Sequence, residues 1–298
     1  MMTKTNYLSA AVALLATLLA ATLLALGLPD VALPQEVVDN NKPPAGASDG
    51  QVGIQQVLEE RVITSNGPLA SIWIGNNLSC QVDHEGNGPG GEFYDGQPSA
   101  LVTDCGTLLA VDGTTYGPNS RYVEFTPVSQ SEVVGRGTEE RPFKVTTVVD
   151  VGDTGLRITQ TDSYVVGRNY YTTTITVKNL GTSRQDVVLY HYGDCYLNLT
   201  DGNTIGKRVE SSLGRAPACE STDPNEEELS LLPRSGGYTY HAGYYQGIYD
   251  APNIQEPYEN TCEPCREVVD SGVGLSWEFS IGPGDSKTRT LRTRVVFD

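Results

Sequence analysis

Residues 171–188 read YTTTITVKNLGTSRQDVV, and in their first half Tyr171, Thr173, Ile175 and Val177 alternate with Thr172, Thr174, Thr176 and Lys178. A two-residue period places the larger apolar side chains on one face of an extended strand and hydroxyls and a charge on the other. One face therefore meets a core and the other meets water. Asn179, Gly181 and Thr182 supply turn chemistry, and residues 186–192 return as a second β-branched and aromatic run, which predicts an antiparallel hairpin. Similar short runs occur at 70–74, 107–111, 122–125, 143–149, 156–166, 238–245, 274–281 and 288–297. The 32 Gly, 17 Pro and 16 Tyr of the 298-residue chain suit strands joined by turns. The one short helix the pattern allows beyond the N-terminus is at 55–62, where Val57, Leu58 and Val62 share a helical face. The expected class is all-β: a large antiparallel β-sandwich over residues 51–298, as one unit or as two tandem sandwiches.

Ahead of that region, residues 1–28 carry one basic residue, Lys4, followed by an almost unbroken apolar run. This is the pattern of an export segment, either a signal peptide cleaved near Ala25-Leu26-Gly27 or a retained N-terminal membrane anchor. Residues 29–50 are rich in Pro, Asp, Asn and Gly and read as a flexible spacer. Six cysteines in an exported chain predict three disulfides, and proximity favours Cys80 with Cys105, Cys195 with Cys219 and Cys262 with Cys265. Zinc at Cys262-Glu-Pro-Cys265 would need a second ligand pair, which three scattered histidines do not offer. The expected location is extracellular or on the cell surface. A formal charge of −17, from 20 Lys and Arg against 37 Asp and Glu, argues against nucleic acid as a partner. Residues 84–104 and 199–233 read as long polar loops held by cysteines.

Two resemblances attach to these stretches. The run at 171–188 resembles the strand-turn-strand of immunoglobulin-like domains in bacterial and archaeal cell-surface proteins, which implies a surface protein. The wider stretch 159–199, ending YHYGDCYLNL, resembles the sugar-facing strands of galactose-mutarotase-like supersandwich proteins. That likeness implies a supersandwich fold and puts His191 forward as a candidate acid, although the disulfide cysteines depart from the family and no second histidine of the expected spacing follows.

The residues offer further chemistry of their own. Tyr238, Tyr240 and Tyr244 fall on one face by alternation and could stack on sugar rings or anchor a protein, unless that face is the core. Asp83, Glu85, Glu92 and Asp95 lie in a Gly-rich segment, with Asp194, Asp201 and Asn203 near another, so oxygen ligands for calcium are available; no other cofactor is expected. No G-x-S-x-G, H-E-x-x-H or Walker loop occurs in the sequence. The leading expectation is a non-enzymatic structural or adhesion protein of the envelope or of a filament, with surface proteins or glycans as partners. The alternative is a carbohydrate-binding or mutarotase-like supersandwich protein. Because every strand pattern and cysteine lies within 51–298, that fragment, expressed in an oxidising compartment, is expected to give a strand-rich circular dichroism spectrum and one cooperative melt. A disordered product would contradict the domain boundary.

Overall fold

The computed structural model of the protein describes residues 59–84, 91–94, 104–223 and 227–297; the stretches expected to be an export segment (1–28) and a spacer (29–50), residues 55–58, Glu85 and Asp95 lie outside them. The chain opens with β1 (Glu60–Thr64), β2 (Leu69–Gly75) and β3 (Cys80–His84), then β4 (Cys105–Val111), β5 (Thr114–Tyr116) and β6 (Thr126–Gln130). The long central strands are β7 (Phe143–Asp150), β8 (Leu156–Tyr164), β9 (Tyr170–Asn179) and β10 (Gln185–Asp194). There follow β11 (Thr204–Ser211), β12 (Gly214–Ser221), β13 (Glu228–Pro233) and β14 (Tyr238–Tyr244), and then helix α1 (Gly247–Ile254). Finally come β15 (Thr261–Glu263), β16 (Val268–Val269), β17 (Ser271–Ile281) and β18 (Ser286–Val296).

These strands form a nine-stranded sheet, β16-β11-β12-β13-β18-β9-β8-β7-β6, a six-stranded sheet, β15-β14-β17-β10-β4-β5, and a small sheet, β1-β2-β3. Among the described strands all ladders are antiparallel except that of β14 with β15. One apolar core joins all three sheets: Ile72 and Val82 from the small sheet, Leu189 and Trp277 from the six-stranded sheet, Ile175 and Leu291 from the nine-stranded sheet. The described residues thus form one large antiparallel sandwich, not two in tandem.

The alternation of 171–178 holds in β9, where Tyr171, Thr173, Ile175 and Val177 are buried and their neighbours are wetter. The hairpin does not form. β9 pairs with β8 and β18, whereas β10 pairs with β17 and β4, so the intervening turn carries the chain from one sheet to the other. Buried Asn179 pins that crossing: its Nδ2 donates to the Ser183 carbonyl at 2.7 Å and the Ile281 carbonyl at 3.0 Å, and its Oδ1 accepts from the Gly181 N–H at 2.9 Å. A crossing turn satisfies the same Asn and Gly preferences as a hairpin, which is why the two look alike in sequence.

Other expectations also change. Residues 122–125 form no strand; Val123 makes only an isolated bridge to Tyr116, and β6 begins at Thr126. At 55–62 the described end is strand β1. Within 199–233, expected to be a long polar loop, lie three strands, β11, β12 and β13, whose charged residues sit on the wet side of a sheet, where Lys207 Nζ is 2.7 Å from both Glu220 Oε2 and Glu228 Oε2.

The three disulfides join the expected pairs, Cys80–Cys105, Cys195–Cys219 and Cys262–Cys265. The first ties the small sheet to β4, and the second ties the end of β10 to β12 across the sandwich. Bridges that close loops of this length contribute about 2–4 kcal/mol each, and they belong to an oxidising compartment.

Every residue of β10 except Asp186 is buried, because its sheet is covered on both faces. Val187 and Leu189 point into the core between the sheets, while Val188, Tyr190 and Tyr192 join Leu108, Tyr249 and Tyr258 in a second cluster under α1. Gly274 admits this cover, since a Cβ there would lie 2.5 Å from the Tyr258 ring. In the main core the largest side chain is fully buried Trp277, whose indole donates to the Ser235 carbonyl at 3.3 Å. Trp277→Ala is expected to cost about 3–5 kcal/mol in denaturant unfolding. Thr174→Ala, on the wet face of β9, should stay within about 0.5 kcal/mol. Equal costs would contradict the assignment of faces.

Candidate functional site

The tyrosine-rich segment builds a pocket on the outer side of the six-stranded sheet. β14 supplies His241 and Tyr244, α1 supplies Asp250, and the chain after the helix supplies Glu256, Tyr258 and Glu259, with Thr261 and Glu263 on the far wall; the cavity is about 370 Å³. Among the described residues, four carboxylates line it and no lysine or arginine does. Tyr244 is 37% exposed at its mouth, edge-on to Tyr245 at 4.9 Å between ring centroids. Tyr258 forms the buried floor, held by a bond from its hydroxyl to the Ile248 carbonyl at 2.8 Å.

His241 is fixed by its neighbours. The Tyr244 carbonyl, 3.1 Å from Nε2, can only accept, so the ring carries its proton on Nε2. Its Nδ1 then accepts from the Thr261 hydroxyl at 3.2 Å, and burial holds the imidazole pKa below its ordinary value. A Cβ on Gly247 would lie 2.2 Å from this ring, so glycine lets the helix start against it.

The expected row of tyrosines divides. Tyr240 is 5% exposed and belongs to the main core, and Tyr238 packs against that core while its hydroxyl donates to the Arg215 carbonyl at 2.8 Å. Gly243, with φ of 120°, breaks the alternation, and Tyr244 emerges in the same pocket as His241. Tyr244 is the one member of the row at the pocket. Sequence reading missed the acidic wall, because α1 begins with glycine and contains Pro252, both of which signal a turn.

His191 lies fully buried between the two large sheets. The Thr107 hydroxyl donates to Gln160 Oε1 at 2.7 Å and so accepts from His191 Nδ1 at 3.1 Å, and His191 Nε2 has no hydrogen-bond partner among the described residues. Gln160 in turn donates to Asp162 Oδ2 at 2.9 Å, and Thr173 donates to Asp162 Oδ1 at 2.6 Å. Burial pushes the His191 pKa down to about 4 and, against those two hydrogen bonds, pushes the Asp162 carboxyl up to about 6. A neutral, enclosed imidazole is poorly placed to protonate a substrate.

Two other groups bring ligand-type atoms within 4.8 Å of one another: His84, Glu92 and Glu227, and Asp194, Asp201 and Asp270. The second is an all-oxygen set of the kind that suits calcium, and Asp270, remote in sequence, could be added only by the fold. In the first, His84 Nδ1 lies 2.6 Å from Glu92 Oε1 and 2.8 Å from Glu227 Oε1, with both carboxylates buried. Glu92 thus sits beside His84, and Asp83, also named as a calcium ligand, is partly buried on β3.

No protein-family model matches the chain, and no curated protein matches it in sequence. Among solved structures, a bacterial glucoamylase complexed with acarbose is similar to it with a TM-score of 0.52 at 14% identity, over 87% of this chain and 35% of that one. The chain therefore spans about a third of that enzyme, and the likeness concerns the fold. Putative aldose 1-epimerases from Escherichia coli K12 and Klebsiella pneumoniae also match, with TM-scores of 0.44 and 0.46. At 10% and 12% identity they cover 81% and 83% of this chain, and 100% and 82% of their own. The immunoglobulin-like resemblance finds no counterpart among these matches.

The His84 group makes stability depend on pH. The two carboxylates raise the His84 pKa from 6.5 to about 10, outweighing its burial, and burial raises the Glu92 carboxyl from 4.5 to about 8. The native state then holds protons that the unfolded chain releases, so stability is full at lower pH and falls as pH rises. Glu227, held below its ordinary value, opposes this only in acid. The melting temperature is expected to fall as pH rises from 4.5, where Glu92 ionises in the unfolded chain, to about 10, where native His84 loses its proton, and His84→Gln should remove the share of the decline carried by the imidazole. Parallel curves for the two proteins would contradict the assignment.

Proposed function

We propose that the protein is an exported saccharide-binding supersandwich protein whose ligand occupies the pocket formed by His241, Tyr244, Tyr258 and the surrounding carboxylates. The observation that carries this reading is the lining: aromatic faces beside several carboxylates, in a concave space within the usual range for small ligands. Sugar rings present apolar C–H faces to aromatics and hydroxyls to carboxylates, so the two kinds of wall address both aspects of one ligand. With no lysine or arginine among the described lining residues, the carboxylates can accept hydrogen bonds from sugar hydroxyl groups. The fold shared with part of a glucoamylase, an enzyme whose structure holds acarbose, supports the same class of ligand.

Binding rather than epimerisation is the reading, because the histidine named by family resemblance is neutral and enclosed. A purely structural or adhesive role would leave the acidic pocket without a purpose. The three disulfides support an extracellular or cell-surface location.

The test is a printed array of neutral mono- and oligosaccharides, followed by calorimetric titration of the best binder. Tyr244→Ala and Glu259→Gln should each weaken binding by about ten-fold, the scale of one lost stacking or charge-assisted contact, with the melting temperature unchanged. Absence of any bound saccharide, or binding indifferent to both substitutions, would overturn the proposal.

A further inference from the structure

A second cleft, of about 700 Å³, lies against β11 and β12 and is lined by Lys207, Arg208, Arg215 and Arg266, with Glu210 and Glu220. Lys207 is already neutralised by Glu220 and Glu228 at 2.7 Å each. Arg208, Arg215 and Arg266 are exposed and make no salt bridge or side-chain hydrogen bond with any described residue. Glu210 stands opposite Arg215 in the strand register without forming a bridge to it. With Lys207 and Glu220 cancelling, three arginines against one glutamate leave a local charge of 3 − 1, or +2, on a chain whose net charge is −17. Guanidinium groups gathered around one concavity without internal partners form a ready site for a carboxylate or sulfate, which they can grip in bidentate fashion.

The cleft's position suggests what carries that anion. Arg266 comes directly after the loop closed by the Cys262–Cys265 disulfide, and its N–H donates to the Gly206 carbonyl at 3.0 Å, fixing that end of the loop on β11. Glu263, inside the same loop, lines the acidic pocket, while Cys265 and Arg266 line the basic cleft. One short loop is therefore the partition between a pocket with four carboxylates and a cleft rich in arginine. We infer that the basic cleft is a subsite for the acidic group of an anionic saccharide, a uronate or sulfate ester, whose neutral portion lies in the acidic pocket. The inference rests on the saccharide reading for the carrier of the anion, and the charge separation sets the direction in which the chain runs across the loop. The carboxylates repel an acidic residue from one side and the arginines attract it to the other.

The experiment uses the whole protein and an array on which each uronate-bearing oligosaccharide is paired with its carboxyl-reduced, uncharged counterpart, with inorganic sulfate as a competitor. The acidic member of at least one pair is expected to bind about ten-fold tighter than its neutral twin. The R208A/R215A/R266A variant, which should melt at the wild-type temperature, is expected to bind both members equally, and sulfate should displace only the acidic one. Equal binding of the pair by the wild-type protein would overturn the subsite and leave the saccharide pocket standing. Sulfate binding by the wild-type protein in a calorimetric titration, lost in the triple variant, with no saccharide bound at all, would show a free-anion site and overturn both the saccharide carrier and the proposed function. A preference for the acidic member that survives the triple substitution would move the anion site elsewhere and overturn the inference.

Discussion

The six-stranded sheet has two apolar faces, and the rest of the structure follows from the need to cover both. β10 shows the constraint most directly, since Val187 and Leu189 face one way and Val188, Tyr190 and Tyr192 the other, all buried. The nine-stranded sheet covers the first face. Its own outer surface can then stay wet, which is why Thr172, Thr174 and Thr176 lie opposite the core-facing residues of β9. The second face falls to the segment after β14, where Tyr245, Ile248, Tyr249 and Tyr258 supply the apolar area that a single short helix could not supply alone. The candidate pocket is the outer rim of that cover, so the residues that complete the fold also shape the site.

Within the core, five buried polar side chains form a connected chain. His191, Thr107, Gln160, Asp162 and Thr173 link β4, β10, β8 and β9 through hydrogen bonds between buried side chains. A buried donor or acceptor left unmatched costs more than a matched one gains, so such a chain favours one register of the facing sheets over shifted ones. His191 is the β10 end of this chain. Cys195–Cys219 crosses between the same two sheets and acts in the same direction covalently.

The sequence made strands and disulfides legible because their signals are local. β9 reads correctly from its own alternation, and the cysteine pairs from their short separations in the chain. Partner choice is not local, so the turn after Asn179 looked like a hairpin although it crosses between sheets. β11 to β13 were hidden by charges and prolines that a strand with one wet face accommodates. Helix α1 was hidden by Gly247 and Pro252, one required by the His241 ring and the other offering its carbonyl to the Thr115 hydroxyl at 2.7 Å. The candidate site was half legible: tyrosine density marked the segment, but Gly243 redirected Tyr244, and the acidic wall needs a helix and a disulfide loop brought together by the fold.

The central claim is that the cover of the six-stranded sheet is also the saccharide-binding surface. Amide hydrogen exchange, measured by mass spectrometry with and without the oligosaccharide that binds best on an array, tests it without altering a residue. The account predicts added protection concentrated at residues 244–263, with the strands of the nine-stranded sheet unchanged. Protection centred instead on β8, β9 and β18, whose outer faces carry the threonine rows, would place the ligand on the opposite side of the sandwich and contradict it.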